Sequence, residues 1–378
     1  MTGIYIHIPF CRTACHYCDF HFSTNHSTMN AMEDALLREI DLHLNDDSTG
    51  DLDVSSIYFG GGTPSVFPSL GIKKIVDRFQ PYLRNCKEIT LEANPEDITA
   101  EKLKQWQDLG ISRLSIGIQS FDQSRLDWMN RKHSAREAEQ AVLLAEKAGF
   151  QHLSVDLIYG IPDRSNPFES EVSRLLSLPV DHVSAYILTV EQQTVYGSRV
   201  KKNLELAPDE DVVKREYTVL CEALQTAGFD HYEVSNWAKP GGHAIHNQHY
   251  WSGLPYLGIG PGAHGFLEMT RFANVSNNRQ YIQSVLSATE INELPREIEN
   301  LTRADRYNET IMTGLRTKRG ISLAQLSAAF QMRPDVETKK EWGQIISRGQ
   351  LVTQELGRFR IPEEHWLLAD GIASDLFV

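Results

Sequence analysis

The sequence predicts an α/β fold followed by a mostly helical C-terminal region, and three observations predict it. Short apolar, β-branched runs recur six times in roughly the first 190 residues with helical patterns between them, the alternation that a parallel sheet with crossover helices requires. Past Glu191 this rhythm breaks, and a long helical pattern leads into a stretch rich in glycine and proline. From about Pro295 the periodicity is helical again. At 378 residues, 41% hydrophobic and 23% charged, the chain is long enough for more than one compact unit and has a globular composition.

Taken in order, the strands are expected at GIYIHI, SSIYFGG, EITLEAN, SRLSIGIQ, LSVDLIYG and HVSAYIL. Two of the intervening helices carry their own punctuation. One opens at Thr99 and stops at Gly110; the other opens with Ser134 and Glu137 at capping-box spacing and stops at Gly149. Periodicity alone leaves an open doubly wound sheet and a partial barrel both standing. PDEDVVKREYTVLCEALQTAGF then reads as a helix and HYEVSNWA as an extended piece, before a loop-rich stretch from Lys239 to Phe266 with seven glycines and three prolines. GQLVTQELGRFRIP reads as a hairpin and EEHWLLADGIASDLF as a last amphipathic segment, an arrangement similar to a winged helix. A net charge of -13 runs against phosphate contacts, so we expect an auxiliary packing domain here and no nucleic-acid partner. No run approaches bilayer length, and the N-terminal residues lack a basic region followed by a long apolar one, so a cytoplasmic location is expected.

Three of the five cysteines fall within eight residues, as C-x3-C-x2-C at Cys11, Cys15 and Cys18. An odd, clustered count in a reducing compartment points to metal rather than disulfides. Cys86 and Cys221 lie apart and read as packing residues. Structural zinc wants four closed ligands, which His7 or His16 would have to complete. A 4Fe-4S cube has four iron corners, and three thiolates on one loop can hold three of them, leaving the fourth open to a non-protein ligand.

This motif, placed after a first strand, resembles the radical S-adenosylmethionine (SAM) superfamily. The resemblance implies a partial (β/α)6 barrel, a 4Fe-4S cluster on Cys11, Cys15 and Cys18, and SAM at the open iron, where the sulfonium is reduced and a 5'-deoxyadenosyl radical released. Functional groups of such barrels collect at the C-terminal ends of strands, and the further motifs fall there in succession: GGGTPS, Glu92 in LEANPED, Gln119 in GIQSF, Arg131 in MNRKH and Asp156 in SVDLIYG. Glycines let backbone approach a ligand, an acid can hold a ribose hydroxyl, and an arginine can pair with a carboxylate. The pattern is similar to that of the oxygen-independent coproporphyrinogen III dehydrogenases. That similarity implies that Tyr5, Gly61, Gly62, Thr63, Glu92, Gln119, Arg131, Asp156 and Leu188 contact SAM, Leu188 through its backbone.

Two departures separate the chain from the decarboxylating enzymes. Phe20 stands where they carry a further cysteine, and Cys11 lies too near the start for the N-terminal extension they place around their substrate. These departures, together with HNQHYW read as H-N-x-x-Y-W, resemble instead the HemW branch, the haem chaperones. The resemblance implies haem as cargo with His246 as its ligand, His249 three residues away as the alternative, and Tyr250 and Trp251 as flat apolar surface. It also implies delivery to acceptor haemoproteins of respiration, with peripheral membrane association and a homodimer as further expectations. Oxidative decarboxylation of a porphyrinogen is the alternative activity. The expected domains are a radical SAM barrel over residues 1–230, a loop-rich extension over 231–290 that carries HNQHYW across the barrel mouth, and a helical, winged-helix-like unit over 291–378.

Overall fold

The computed structural model describes residues 1–46, 52–162, 167–330 and 336–378. Its frame is six parallel strands: β1 (Thr2–Ile8), β2 (Val54–Gly61), β3 (Glu88–Ala93), β4 (Arg113–Gln119), β5 (His152–Tyr159) and β6 (His182–Ile187), hydrogen-bonded in that order. They answer one for one to the six apolar runs. Ile4, Ile6 and Ile8 of β1, Ile57 and Phe59 of β2, and Leu114, Ile116 and Ile118 of β4 are fully buried, as expected of parallel strands covered by crossover helices. The helix Ala135–Ala148 has its capping box formed, with the Ser134 hydroxyl accepting from the Glu137 amide at 3.2 Å and the Glu137 carboxylate accepting from the Ser134 amide at 2.7 Å. It ends at Gly149, φ 99°, a left-handed conformation that glycine adopts without steric cost.

Beyond the frame the chain is more ordered than its composition suggested. HYEVSNWA is a tight hairpin of β7 (Asp230–Glu233) and β8 (Asn236–Ala238), and β8 pairs antiparallel with β6. The loop-rich stretch supplies a short helix, Ile245–Trp251, and β9 (Tyr256–Ile259), which runs parallel beside β1. After it come β10 (His264–Leu267), β11 (Thr270–Asn274) and β12 (Arg296–Asn300), so that among the described residues twelve strands form one sheet.

A second, smaller core begins at Tyr307 and gathers Ile311, Leu315, Ile321, Trp342, Ile361 and Trp366. Around it β13 (Ile321–Ser322), β14 (Val352–Thr353) and β15 (Arg358–Arg360) make a three-stranded sheet in which β15 is central. This unit is fastened to the hairpin edge of the large sheet by backbone bonds from Val234 to the Arg316 carbonyl (2.9 Å) and from Lys318 to the Tyr232 carbonyl (3.0 Å). Cys86 and Cys221 are half-buried and pack against the main core. Among the described residues no helix is long and apolar enough to cross a membrane.

Candidate functional site

The cysteines sit on the loop after β1. Its two stems are tied by Cys11 N to Ser23 O (3.0 Å) and Ser23 N to Pro9 O (2.9 Å), and its middle is held by His16 N to Met129 O (3.1 Å). All three thiols line one cavity of about 500 Å³ that enters at the C-terminal ends of the six strands and continues down the barrel lumen. Glycine is required at the turn after β2. Gly61 has φ 110°, and a Cβ on Gly62 would lie 2.8 Å from the Phe10 carbonyl oxygen. That close approach brings the Thr63 hydroxyl to the Cys11 sulfur as a donor at 3.3 Å.

The lumen is lined by inward positions two apart along each strand, the strand period: Ser115, Gly117 and Gln119 on β4, Ser154 and Asp156 on β5, Ser184 and Tyr186 on β6. Glu92 accepts from the Tyr58 hydroxyl at 2.8 Å, and Asp156 from the Ser115 hydroxyl at 3.1 Å. Burial pushes the Glu92 carboxyl up to about 7 and Asp156 up to about 6, against those hydrogen bonds, with the Asp156 charge adding to the rise at Glu92. The Arg131 guanidinium donates to Asn94 Oδ1 (2.6 Å), the Gly117 carbonyl (2.7 Å) and the Cys15 sulfur (3.4 Å), so a fixed cation stands beside the thiols. Gln119 and Asn130, next to Arg131, both hold positive φ (69° and 59°), local strain of the kind that gathers at ligand sites.

Of the residues expected to contact SAM, Gly61, Gly62, Thr63, Glu92, Gln119, Arg131, Asp156 and Leu188 line this cavity together with Cys11, Cys15 and Cys18. Tyr5 stands behind the wall, its ring stacked on Tyr58 at 6.1 Å. The donor set fits a cluster. Burial raises the Cys11 thiol to about 11 and Cys18 to about 12, so their thiolates need a bound cation such as iron to form near neutrality. His7 and His16, the alternative ligands for zinc, are engaged elsewhere: His7 Nε2 lies 2.8 Å from the His21 carbonyl and His16 Nδ1 lies 2.7 Å from that of Trp128. Phe20, 69% exposed, lies at the cavity edge.

HNQHYW is not over this mouth. It forms the helix Ile245–Trp251 and closes the opposite end of the barrel, where the strands begin. The Glu88 carboxylate at the start of β3 accepts from the Ile245 and His246 amides, both at 3.1 Å, which answers the unsatisfied donors and positive dipole of a helix N-terminus. Arg113, paired with Glu88 at 2.9 Å, donates to the Gly242 carbonyl. His246 is buried and stacked on Tyr58 (5.1 Å), with Ser56 Oγ 2.9 Å from Nδ1 and the Tyr250 hydroxyl 3.0 Å from Nε2. Burial and the neighbouring His249 lower its pKa to about 3, so the ring is neutral. His249 meets Ser55 Oγ at 3.0 Å. Asn247 faces the lumen, whereas Tyr250 and Trp251 face a second cavity of about 960 Å³, between this helix and the C-terminal unit.

The sequence profile of the Radical SAM superfamily matches residues 5–170, and that of the HemN C-terminal domain matches residues 301–368. The heme chaperone HemW of Mycobacterium tuberculosis (strain CDC 1551 / Oshkosh) is 36% identical over 344 residues, 88% of this chain and 86% of that one. Heme chaperone HemW of Bacillus subtilis (strain 168) is 34% identical over 340 residues, 87% of each. The chain belongs to the HemW family. As a member of the radical SAM superfamily, HemW proteins included, it carries the cofactor expectation of that superfamily, a 4Fe-4S cluster and SAM. Among solved structures, coproporphyrinogen III oxidase (HemN) from Escherichia coli superposes with a TM-score of 0.82 over 100% of this chain and 90% of that one at 20% identity, which shows the shared fold.

Several wall residues of this HemW barrel escaped sequence reasoning. Asn94, two positions after Glu92, orients Arg131; Ser115, Ser154 and Ser184 keep the lumen open beside the carboxylates. Their signal is the period of two: stepping back by two from Gln119 and from Asp156 reaches Gly117, Ser115 and Ser154, small or polar residues where an ordinary core would place aliphatic ones.

Proposed function

We propose that this chain is a haem chaperone that holds a 4Fe-4S cluster on Cys11, Cys15 and Cys18, binds SAM against Gly61, Gly62, Thr63, Glu92, Gln119, Arg131, Asp156 and Leu188, with Tyr5 behind them, and carries haem on His246 for delivery to haemoproteins. The carrying observation is the placement of the HNQHYW helix. Its histidine is neutral, as an iron ligand must be, and is separated by the lumen from the thiols. His246 Nε2 is bonded to the Tyr250 hydroxyl, and Tyr250 also lines the larger cavity, so this one side chain links the imidazole to that space. A bound cluster supplies one-electron reduction. Around it, Arg131 lowers the cost of negative charge on the thiolates, and Gln119 and the carboxylates orient SAM in the lumen. We assign the protein to the cytoplasm, acting as a homodimer with transient membrane contact and with respiratory haemoproteins as acceptors.

The test is anaerobic reconstitution followed by haem titration into wild type and His246→Ala, with coproporphyrinogen III turnover assayed in the same preparations. Saturable haem binding that is lost in the variant, without turnover, is the expected result. Equal affinity in both proteins would remove His246 as ligand, and decarboxylated product would return the chain to porphyrin synthesis.

A further inference from the structure

The larger cavity has a chemistry of its own. One wall is aromatic: Tyr232, Tyr250, Trp251, Tyr256 and Phe266. Its charged lining holds five cations, Arg271, Arg306, Lys318, Arg319 and Arg358, against two carboxylates, in a chain whose net charge is -13. Both carboxylates are engaged. Glu309 takes Arg271 and Arg306, and Asp230 takes Lys318. Arg358 donates to the Arg319 and Gly320 carbonyls and to Gln325, and among the described residues neither it nor Arg319 meets a carboxylate. A volume of about 960 Å³ is at the upper end for organic ligands and suits a large flat ring better than a metabolite.

We propose that this cavity holds a tetrapyrrole dicarboxylate, its ring against Tyr250 and Trp251 and its carboxylates on Arg319 and Arg358. Flat aromatic surface recognises the ring, and guanidinium forks recognise carboxylates. The proposal rests on the haem reading and adds the place and the anion contacts. Tyr250 both lines the cavity and bonds His246 Nε2, so the ring proposed here and the proposed iron ligand meet at this one side chain.

Metal-free protoporphyrin IX and its dimethyl ester separate this site from iron ligation. The full-length reconstituted protein is titrated with each, and with haem, as wild type, His246→Ala, Arg319→Gln/Arg358→Gln and Ala329→Trp. Ala329 lines the cavity and is exposed, so a tryptophan there fills space without disturbing the core, and it guards against the case where loss of Arg358 unsettles the small sheet. The diacid is expected to bind wild type and His246→Ala alike, and roughly tenfold or more weakly to the arginine variant and to Ala329→Trp. The ester should not distinguish wild type from the arginine variant. If haem binding depends on His246 while neither cavity variant alters porphyrin or haem affinity, this site is wrong and the haem reading stands. If wild type takes up no haem, the reading falls and takes this site with it.

Discussion

The two ends of the barrel are built differently. At the C-terminal ends of the strands the cavity is lined by thiols, glycine backbone and two half-buried carboxylates whose protons are held unusually tightly. At the strand starts, the larger cavity is aromatic and net cationic, and more than half of its wall belongs to the C-terminal unit. One end is thus assembled from consecutive strand ends of a single sheet, and the other from segments far apart in the chain. The first kind of site leaves ordered motifs; the second leaves residues that look ordinary until the fold brings them together.

Mutations that act on one end only test this division. The largest effect is expected at the thiols. Cys15→Ala should reduce iron and sulfide incorporation to background, measured chemically after reconstitution, and leave porphyrin uptake within a fewfold of wild type. Glu88→Ala attacks the other end. It strands the buried Arg113 and removes the acceptor at the helix N-terminus, for a loss of about 3–5 kcal/mol in chemical denaturation and weaker haem binding, with the cluster still incorporated. Loss of cluster and haem together in that variant would deny the independence of the two ends.

Acidity provides a third test. The desolvated Glu92 carboxyl, raised from 4.5 to about 7, keeps its proton in the folded chain after the unfolded chain has lost it. The stability this gives is full below pH 4.5 and is lost as pH rises through about 7, an amount of at most about 3 kcal/mol. Glu92→Gln should flatten that part of the stability-against-pH curve; an unchanged slope would place the titration elsewhere. Tyr250→Phe is a smaller change. It frees His246 Nε2 of its hydroxyl partner, worth about 1 kcal/mol, and should speed haem ligation severalfold in stopped-flow absorbance. Smallest is Ser134→Ala, which costs about 1 kcal/mol of helix capping and should alter neither cofactor nor haem binding.

Much of the upper end was legible in the sequence. Cys11, Cys15 and Cys18 share one loop, and Glu92, Gln119 and Asp156 each lie at or near the end of an apolar run read as a strand; the alternation left an open sheet standing, and it was the resemblance to the radical SAM superfamily that implied the barrel in which they converge. The lower end was not. HNQHYW was expected across the mouth, but its position is decided by Glu88, 157 residues before Ile245, and by Ser55 and Ser56 at the start of β2. No local pattern announces a helix docking under a sheet. Composition also misled: seven glycines between Lys239 and Phe266 suggested loop, yet β9 lies there, because pairing with β1 supplies the hydrogen bonds that propensity did not favour.

The closure of the barrel floor by the helix Ile245–Trp251 also bears on safety. A strand of six to eight residues spans about 20–27 Å, and the thiols stand at one end of such strands while Tyr250 and Trp251 stand beyond the other. Hydrogen abstraction needs van der Waals contact between the radical carbon and its target, so under the function proposed above a macrocycle lying below that floor is beyond the range of any radical made above it. A protein so arranged can keep a hazardous reagent and a fragile passenger in one chain without the first consuming the second.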